Sequence, residues 1–240
     1  MMPILYLILF LAVFGSGFTV SLFTIPAKAM KLMLAFTGSL LFSIAVLDLI
    51  PEVYSSLGKQ AGIYILVGFF FQIVLEFFSH GIEHGHTHHH NSKMFISTMT
   101  ISLCLHSLLE GMAVCYHPLD TGSDVNNGLY IGIVLHHMPI AAAVMAVLIE
   151  SPVSKLTRIM VLALFAIMAP LGMFLGAHAG ALVSLPYGNI LLNITTGIVT
   201  GILLHISTTI LFESSEDHRF NFYKFLTVIL GALLTIFILL

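Results

Sequence analysis

The chain has 240 residues, of which 58% are hydrophobic and only 8% are charged, and its net charge is −3. Soluble globular domains carry about 25% charged residues, so this composition excludes a soluble enzyme and predicts a polytopic membrane protein. The slightly negative balance argues against a nucleic-acid partner. Because no extended polar stretch could fold separately, residues 1–240 are interpreted as one transmembrane domain.

Eight segments are long and apolar enough to cross the hydrocarbon core of a bilayer, which takes about 20 residues in a helix. Short connections containing Pro, Gly or Asp separate them. We therefore predict an all-α fold of eight transmembrane helices. The predicted spans are residues 2–24, 31–55, 60–80, 94–116, 127–149, 156–178, 188–213 and 220–240.

The basic residues predict the orientation of these spans. Seven of the eight Lys and Arg residues lie in odd-numbered connections or at the span ends that border them, and only Lys59 lies in an even connection. Cytoplasmic connections are enriched in Lys and Arg, so the odd connections are predicted to be cytoplasmic and both termini extracytoplasmic. The compact chain without a targeting segment favours a plasma membrane, in particular a bacterial inner membrane.

The second span places two carboxylates around a proline in the sequence LDLIPE. Pro51 lacks a backbone donor and disturbs the helical turn that contains Asp48. Glu52 follows directly. Broken helices at membrane depth are tolerated where they line a cavity or are covered by protein. Asp48 is therefore a candidate metal ligand, and Glu52 is a candidate for the entrance of a cation pathway.

The third connection, HGIEHGHTHHHNSK, is rich in histidine. Such a tract cannot form a packed core, but its neutral imidazoles can bind a divalent transition metal. We predict a metal-catching cytoplasmic loop at about residues 80–93, and a solvated polar linker is the alternative. The candidate residues in this loop are His84, His86, His88, His89 and His90.

The fourth and fifth spans carry ionisable side chains near their middle. His106 and Glu110 lie four residues apart, on one helical face. An ionisable group at this depth costs roughly 2.5 to 3.5 kcal/mol, so a compensating partner is expected, and a metal cation would serve. His136 and His137 lie at similar depth in the fifth span. Pro139 follows them and should kink that helix.

The seventh span adds two candidates on the inward side of this depth. His205 lies in the inner half of the span, and Glu213 lies near its end. Hydroxyl groups of the same helix could instead satisfy His205 internally. We assign both residues to the inward part of the pathway, with His205 as a metal ligand.

Together, the eight-span layout, the His-rich third connection and the motifs LDLIPE, HSLLEG, HHMP and GILLHISTTILFE resemble the ZIP (Zrt-, Irt-like) family of divalent metal transporters in its bacterial form. The resemblance implies one transporter domain. In that fold, spans 1–3 and 6–8 are inverted repeats around spans 4 and 5, and the termini are extracellular.

The resemblance also implies a transport site built from spans 2, 4 and 5. Ser107 stands where the family's fourth-span pattern has Asn, and Ile140 stands where an acidic ligand is common in the fifth. These departures put the family's second, adjacent metal position in doubt, so we expect one metal. The expected ligands are Asp48, His106, Glu110, His136 and His137.

The predicted function is uptake of a divalent cation, most plausibly zinc, into the cytoplasm, with no cofactor and no enzymatic activity. An intramembrane zinc-dependent hydrolase is the alternative, because three histidines and an acid can hold Zn²⁺ with one open position. The chain has no HEXXH motif, which disfavours that alternative. A haem-binding electron carrier gains little from the carboxylates. The sequence leaves the physiological metal, proton coupling and a homodimer open.

Overall fold

The computed structural model describes residues 2–79, 93–115, 125–179, 187–213 and 222–240. Every regular element in these ranges is helical. A π-helical turn, Ala45–Leu49, joins α2 to α3, and a 3-10 turn, Gly58–Gln60, joins α3 to α4. The helices are α1 (Met2–Val20), α2 (Ala27–Ile44), α3 (Ile50–Leu57), α4 (Ala61–Ser79), α5 (Lys93–Val114), α6 (Asn127–Glu150), α7 (Lys155–Ala177), α8 (Tyr187–Glu213) and α9 (Phe222–Leu239).

Seven helical stretches in the described ranges are long and apolar enough to cross a membrane, whereas eight spans were predicted. The difference lies in Ala27–Ser79, a stretch of 53 residues that contains the second and third predicted spans. Gly58 interrupts this stretch with a φ of 55°, a backbone conformation that favours glycine. The prediction of an all-α polytopic membrane protein is confirmed.

Large apolar side chains cover much of the outer surface of the bundle. Phe77 on α4 and Phe237 on α9 are 74% and 82% exposed. Other large apolar side chains are exposed along α1 and α7. A water-soluble monomer rarely exposes apolar patches of this extent. The surface therefore fits a lipid environment.

Helix α6 lies at the centre of the bundle. Its side chains are buried over most of its length, and it contacts α1, α2, α5 and α7. This helix also carries the two adjacent histidines. Their burial therefore follows from the central position of α6 rather than from a local fold around them.

Two glycines allow helices α5 and α7 to approach backbone to backbone. A Cβ atom at Gly111 of α5 would clash with the carbonyl oxygen of Ala169 on α7, and one at Gly172 of α7 would clash with that of Leu108. Small residues at such contacts allow close van der Waals packing between transmembrane helices. Gly111 follows Glu110 directly, so this contact holds the acid-bearing turn of α5 against α7.

Two polar contacts fix the register of α2 and its π-turn against α6. Thr37 Oγ1 lies 3.5 Å from His136 Nδ1, and Asn126 Nδ2 donates to Asp48 Oδ2 at 2.7 Å. Residue numbers rise along α2 while they fall along α6, so the two segments are antiparallel. Asp48 consequently lies at the end of the bundle where α5 ends and α6 begins, which we call the α5–α6 end.

Candidate metal centre

Four ionisable side chains from α5 and α6 meet inside the bundle, and all four are 0% exposed. Glu110 lies between two of the histidines: its Oε1 is 3.3 Å from His106 Nε2, and its Oε2 is 3.2 Å from His137 Nε2. Ligand atoms of His106, Glu110 and His136 all lie within 4.8 Å of one another. We call these four residues, His106, Glu110, His136 and His137, the buried centre.

The three imidazole rings form a nearly equilateral triangle. The ring centroids are 6.4 Å apart for His106 and His136, and 6.1 Å apart for each of the other two pairs. Metal–ligand bonds of about 2.0 to 2.2 Å separate two ligand atoms of a tetrahedral zinc by roughly 3.3 to 3.6 Å. The two contacts of Glu110 are close to that separation. Other ligand atoms of His106, Glu110 and His136 lie up to 4.8 Å apart and would have to move closer to bind one zinc ion, and His137 joins them through its contact with Glu110.

A hydrogen bond fixes the tautomer of His137. Its Nδ1 lies 3.1 Å from the carbonyl oxygen of Ile133. The carbonyl can only accept, so Nδ1 carries the proton and, in the neutral ring, Nε2 presents its lone pair. This lone pair faces the Glu110 carboxylate at 3.2 Å. Two acceptors at that distance repel unless a proton or a metal ion lies between them.

His136 is oriented from α2. Thr37 Oγ1 donates to the carbonyl oxygen of Leu34 at 3.2 Å, so its oxygen can accept from the Nδ1–H of His136 at 3.5 Å. A hydrogen-bond acceptor on Nδ1 orients a ligating imidazole and directs its Nε2 toward the metal. Sequence reasoning missed Thr37, because one threonine in an apolar helix gives no signal until its neighbour is known.

The helical turn before Pro51 is a π-helical turn, Ala45–Leu49, as expected for a disturbed helix. Helix α6 continues without a break across Pro139 from Asn127 to Glu150, and the kink predicted there stays a prediction. The buried centre is therefore carried by two helices, which suits precise placement of ligand atoms.

Asp48 and Glu52 lie apart from the buried centre. Asn126, the partner of Asp48, precedes His136 by ten residues on α6. At 1.5 Å per residue this is about 15 Å along the helix. Glu52 follows Asp48 by four residues, and its two carboxylate oxygens are buried without a hydrogen-bond partner among the described residues. These carboxylates and the buried centre thus occupy different depths of the bundle.

His205 pairs with an acid that sequence reasoning missed. Its Nε2 lies 2.6 Å from Oε2 of Glu76 on α4, and the two side chains are 12% and 23% exposed. The alternative, in which hydroxyl groups of the same helix satisfy the His205 side chain, is wrong. Thr208 and Thr209 donate to the backbone carbonyl of His205 instead of to its ring. We call Glu76 and His205 the half-open pair. An acid within an apolar span was the available signal for Glu76.

A contact to α5 gives the depth of the half-open pair. Ser102 Oγ donates to the carbonyl oxygen of Leu75, the residue before Glu76, at 2.6 Å. Ser102 precedes His106 by one helical turn, so the half-open pair lies about 6 Å from the buried centre along α5. The pair and Asp48 lie on opposite sides of the buried centre.

The remaining predicted residues do not add a ligand to the described centre. The side chains of Ser107 and Ile140 are both buried, and the apolar side chain of Ile140 offers no ligand atom. The histidines of the His-rich tract, His84, His86, His88, His89 and His90, lie outside the described residues, as does the side chain of Glu213. Their roles stay predictions.

Comparison with protein families finds a match for this chain. The family model described as ZIP Zinc transporter matches residues 83–239. The matched segment contains the whole buried centre and His205, whereas Asp48 and Glu76 precede it. Comparison with curated proteins found no match.

Proposed function

Because the chain belongs to the ZIP family, which implies transport of divalent metals, we propose that it moves zinc across the membrane into the cytoplasm through the buried centre. The main support for this site is the Glu110 carboxylate, which lies 3.2 to 3.3 Å from two imidazole nitrogens in a fully buried position. Nitrogen and oxygen ligands suit zinc, although they also accept other transition metals. Ile140 stands where an acidic ligand is common in the family and offers no ligand atom, so the centre is expected to hold one metal.

The proposed path has three levels along the bundle. A cation enters at the α5–α6 end, where Asp48 and Glu52 supply carboxylates. It then occupies the buried centre, and leaves past the half-open pair toward the opposite end. The charge bias of the connections supports this direction, because it places the α5–α6 end outside.

Eight crossings are part of this proposal. An uninterrupted helix of 53 residues would be about 80 Å long, more than twice the hydrocarbon thickness of about 30 Å. We therefore infer that Ala27–Ser79 crosses the membrane twice and reverses near Gly58. This gives eight crossings and places both termini on the same, extracytoplasmic side.

The pattern of helix contacts supports an inverted repeat. If α1, α2 and α4 correspond to α7, α8 and α9, and α5 corresponds to α6, then each contact should have a counterpart. The contact between α5 and α7 has its counterpart between α6 and α1, and that between α4 and α8 has its counterpart between α9 and α2. Repeats arranged about a midplane site commonly alternate access by movement of one bundle against another.

The hydrolase alternative gains no support from the family match, which is to transporters. The four side chains of the buried centre are also completely buried, so a lipid or peptide bond has no described route to a metal-bound water. We therefore do not propose the hydrolase as a second function.

Zinc uptake by proteoliposomes containing the purified chain tests the proposal. His106→Ala and Glu110→Gln should each abolish the initial rate, because each removes a ligand from a buried site. His178→Ala is the matched control, since His178 is exposed at the end of α7 and its Nδ1 contacts only the carbonyl oxygen of Phe174 in the described structure. Undiminished uptake by both site variants would refute the site.

A further inference from the structure

Asn126 joins three elements at the α5–α6 end of the bundle. Its backbone N–H donates to the carbonyl oxygen of Val114, the last residue of α5, at 2.9 Å. Its side-chain Oδ1 accepts from the backbone N–H of Leu129 at 2.8 Å and so caps the first turn of α6. Its Nδ2 donates to Asp48 Oδ2 on the π-turn at 2.7 Å.

The two side-chain contacts of Asn126 require different atoms. Leu129 offers an N–H, so the amide oxygen must face it, and the Asp48 carboxylate accepts, so the amide nitrogen must face the acid. Ser or Thr at this position could still cap α6, because both are good N-cap residues. Neither has an amide that reaches Asp48. The cap and the contact to Asp48 can therefore be separated by substitution.

Asp48 lies on a segment whose own helix constrains it less than a regular α-helix would. The π-turn Ala45–Leu49 has a widened hydrogen-bond pattern, and Pro51 contributes no backbone donor. The amide of Asn126 supplies an external anchor that starts from the ends of α5 and α6. These are the helices that carry the buried centre, so Asp48 is placed relative to the centre and not only relative to α2.

We propose that Asn126 is a positioning residue for metal capture, which holds Asp48 with one carboxylate oxygen engaged and the other directed to an incoming cation. This inference rests on the proposed function, in which Asp48 collects the metal. Hydrogen bonds to a ligating carboxylate orient it and raise metal affinity, and their loss typically costs about 10- to 100-fold at a closed site. Because Asp48 lies at the entrance and not in a closed site, we expect loss of the Asn126 contact to raise KM by only roughly fivefold.

A double-mutant cycle on zinc uptake tests this role. The four proteins are the wild type, Asn126→Ser, Asp48→Ala and the double variant, each reconstituted as the full chain. Asn126→Ser should raise KM about fivefold and leave the maximal rate nearly unchanged. In the Asp48→Ala background the same substitution should have no further effect on KM, because a residue that acts through Asp48 is silent without it.

Ser154→Ala is the matched control for the loss of a helix cap. Ser154 Oγ accepts from the backbone N–H of Thr157 at the start of α7, and no acid is bonded to Ser154 in the described structure. Its substitution should lower thermal stability without changing KM. An equal rise in KM for Ser154→Ala and Asn126→Ser would show that any disturbance at a helix N-terminus raises KM, and would overturn the inference.

The remaining outcomes separate this inference from the proposed function. An Asn126→Ser effect of equal size in both backgrounds, or no effect in either, overturns the positioning role while transport through the buried centre stands. An unchanged KM for Asp48→Ala alone refutes Asp48 as a capture site and the inference with it. Wild-type protein without uptake refutes the proposed function. Should Asn126→Ser not fold, Asn126→Thr runs the same cycle.

Discussion

The buried centre and the half-open pair both place a histidine against a glutamate, yet they differ in what surrounds the contact. Glu110 has an imidazole on each of its two oxygens, and every side chain of that centre is 0% exposed. Glu76 meets the imidazole of His205, and the two side chains are 23% and 12% exposed. Burial raises the cost of an uncompensated charge, so the centre requires a cation or proton more strongly than the pair does.

This difference suggests a division of roles along one path. A closed set of several ligands can hold a metal tightly and select it. A two-residue pair with access to solvent binds more weakly, as a step on the way out must. Transport needs both properties, because an ion that is bound only tightly does not leave.

The largest expected effect concerns zinc affinity at the two places. Glu110→Gln removes the charge that lies between two imidazoles and should lower the zinc affinity of the purified protein by at least about 100-fold. Glu76→Gln should change it less than about threefold. Competition with a zinc chelator of known affinity measures both. Equal losses in the two variants would remove the distinction between the centre and the pair.

The second expected effect concerns release. Glu76→Gln and His205→Ala should each lower the maximal uptake rate about three- to tenfold and leave KM nearly unchanged, since they act after the metal is captured. Initial rates over a range of zinc concentrations give both quantities. A variant whose KM rises while its maximal rate is kept would place the pair on the capture side instead.

A smaller effect is expected at Thr37, which contacts the centre from α2. Thr37→Val keeps the shape of the side chain but removes the acceptor for His136. Because this contact is long, at 3.5 Å, zinc affinity should fall by roughly threefold, less than the 10- to 100-fold typical for loss of a well-formed partner. Thr37→Ser keeps the hydroxyl and should restore most of it. If the serine variant were as weak as the valine variant, packing of α2 rather than the hydroxyl contact would be responsible.

The smallest effect is expected from the His-rich tract. Deletion of residues 84–90 should change the uptake rate by less than about twofold at saturating zinc, if these histidines only receive the ion as predicted. The zinc affinity of the buried centre should remain the same. A folded deletion variant without transport would show that the tract is essential.

Much of this arrangement follows from sequence because burial in a membrane makes polar residues conspicuous. Composition predicts the helices, and spacing places His106 and Glu110 on one face. Thr37, Glu76 and Asn126 could not be assigned in the same way. Each acts through a contact between helices distant in sequence, such as α4 with α8, and such contacts depend on helix rotation and register that no local pattern specifies.

The helix count shows the same limit. Length and hydropathy separate spans 2 and 3, whereas the backbone conformation of Gly58, which interrupts Ala27–Ser79, could not be derived from them. The distortion before Pro51 was predictable, because proline removes a backbone donor. Helix α6 continues without a break across Pro139, because surrounding helices can support a proline in a buried position.

Zinc K-edge X-ray absorption of the protein loaded with one equivalent of zinc tests directly whether the buried centre binds the metal. We expect nitrogen and oxygen ligands at about 2.0 to 2.1 Å from the zinc, with outer-shell scattering from three imidazoles. His137→Ala should reduce that scattering to two imidazoles, while His205→Ala should leave it unchanged. A shell of six oxygens, or imidazole scattering that is lost in His205→Ala and kept in His137→Ala, would contradict binding at the buried centre.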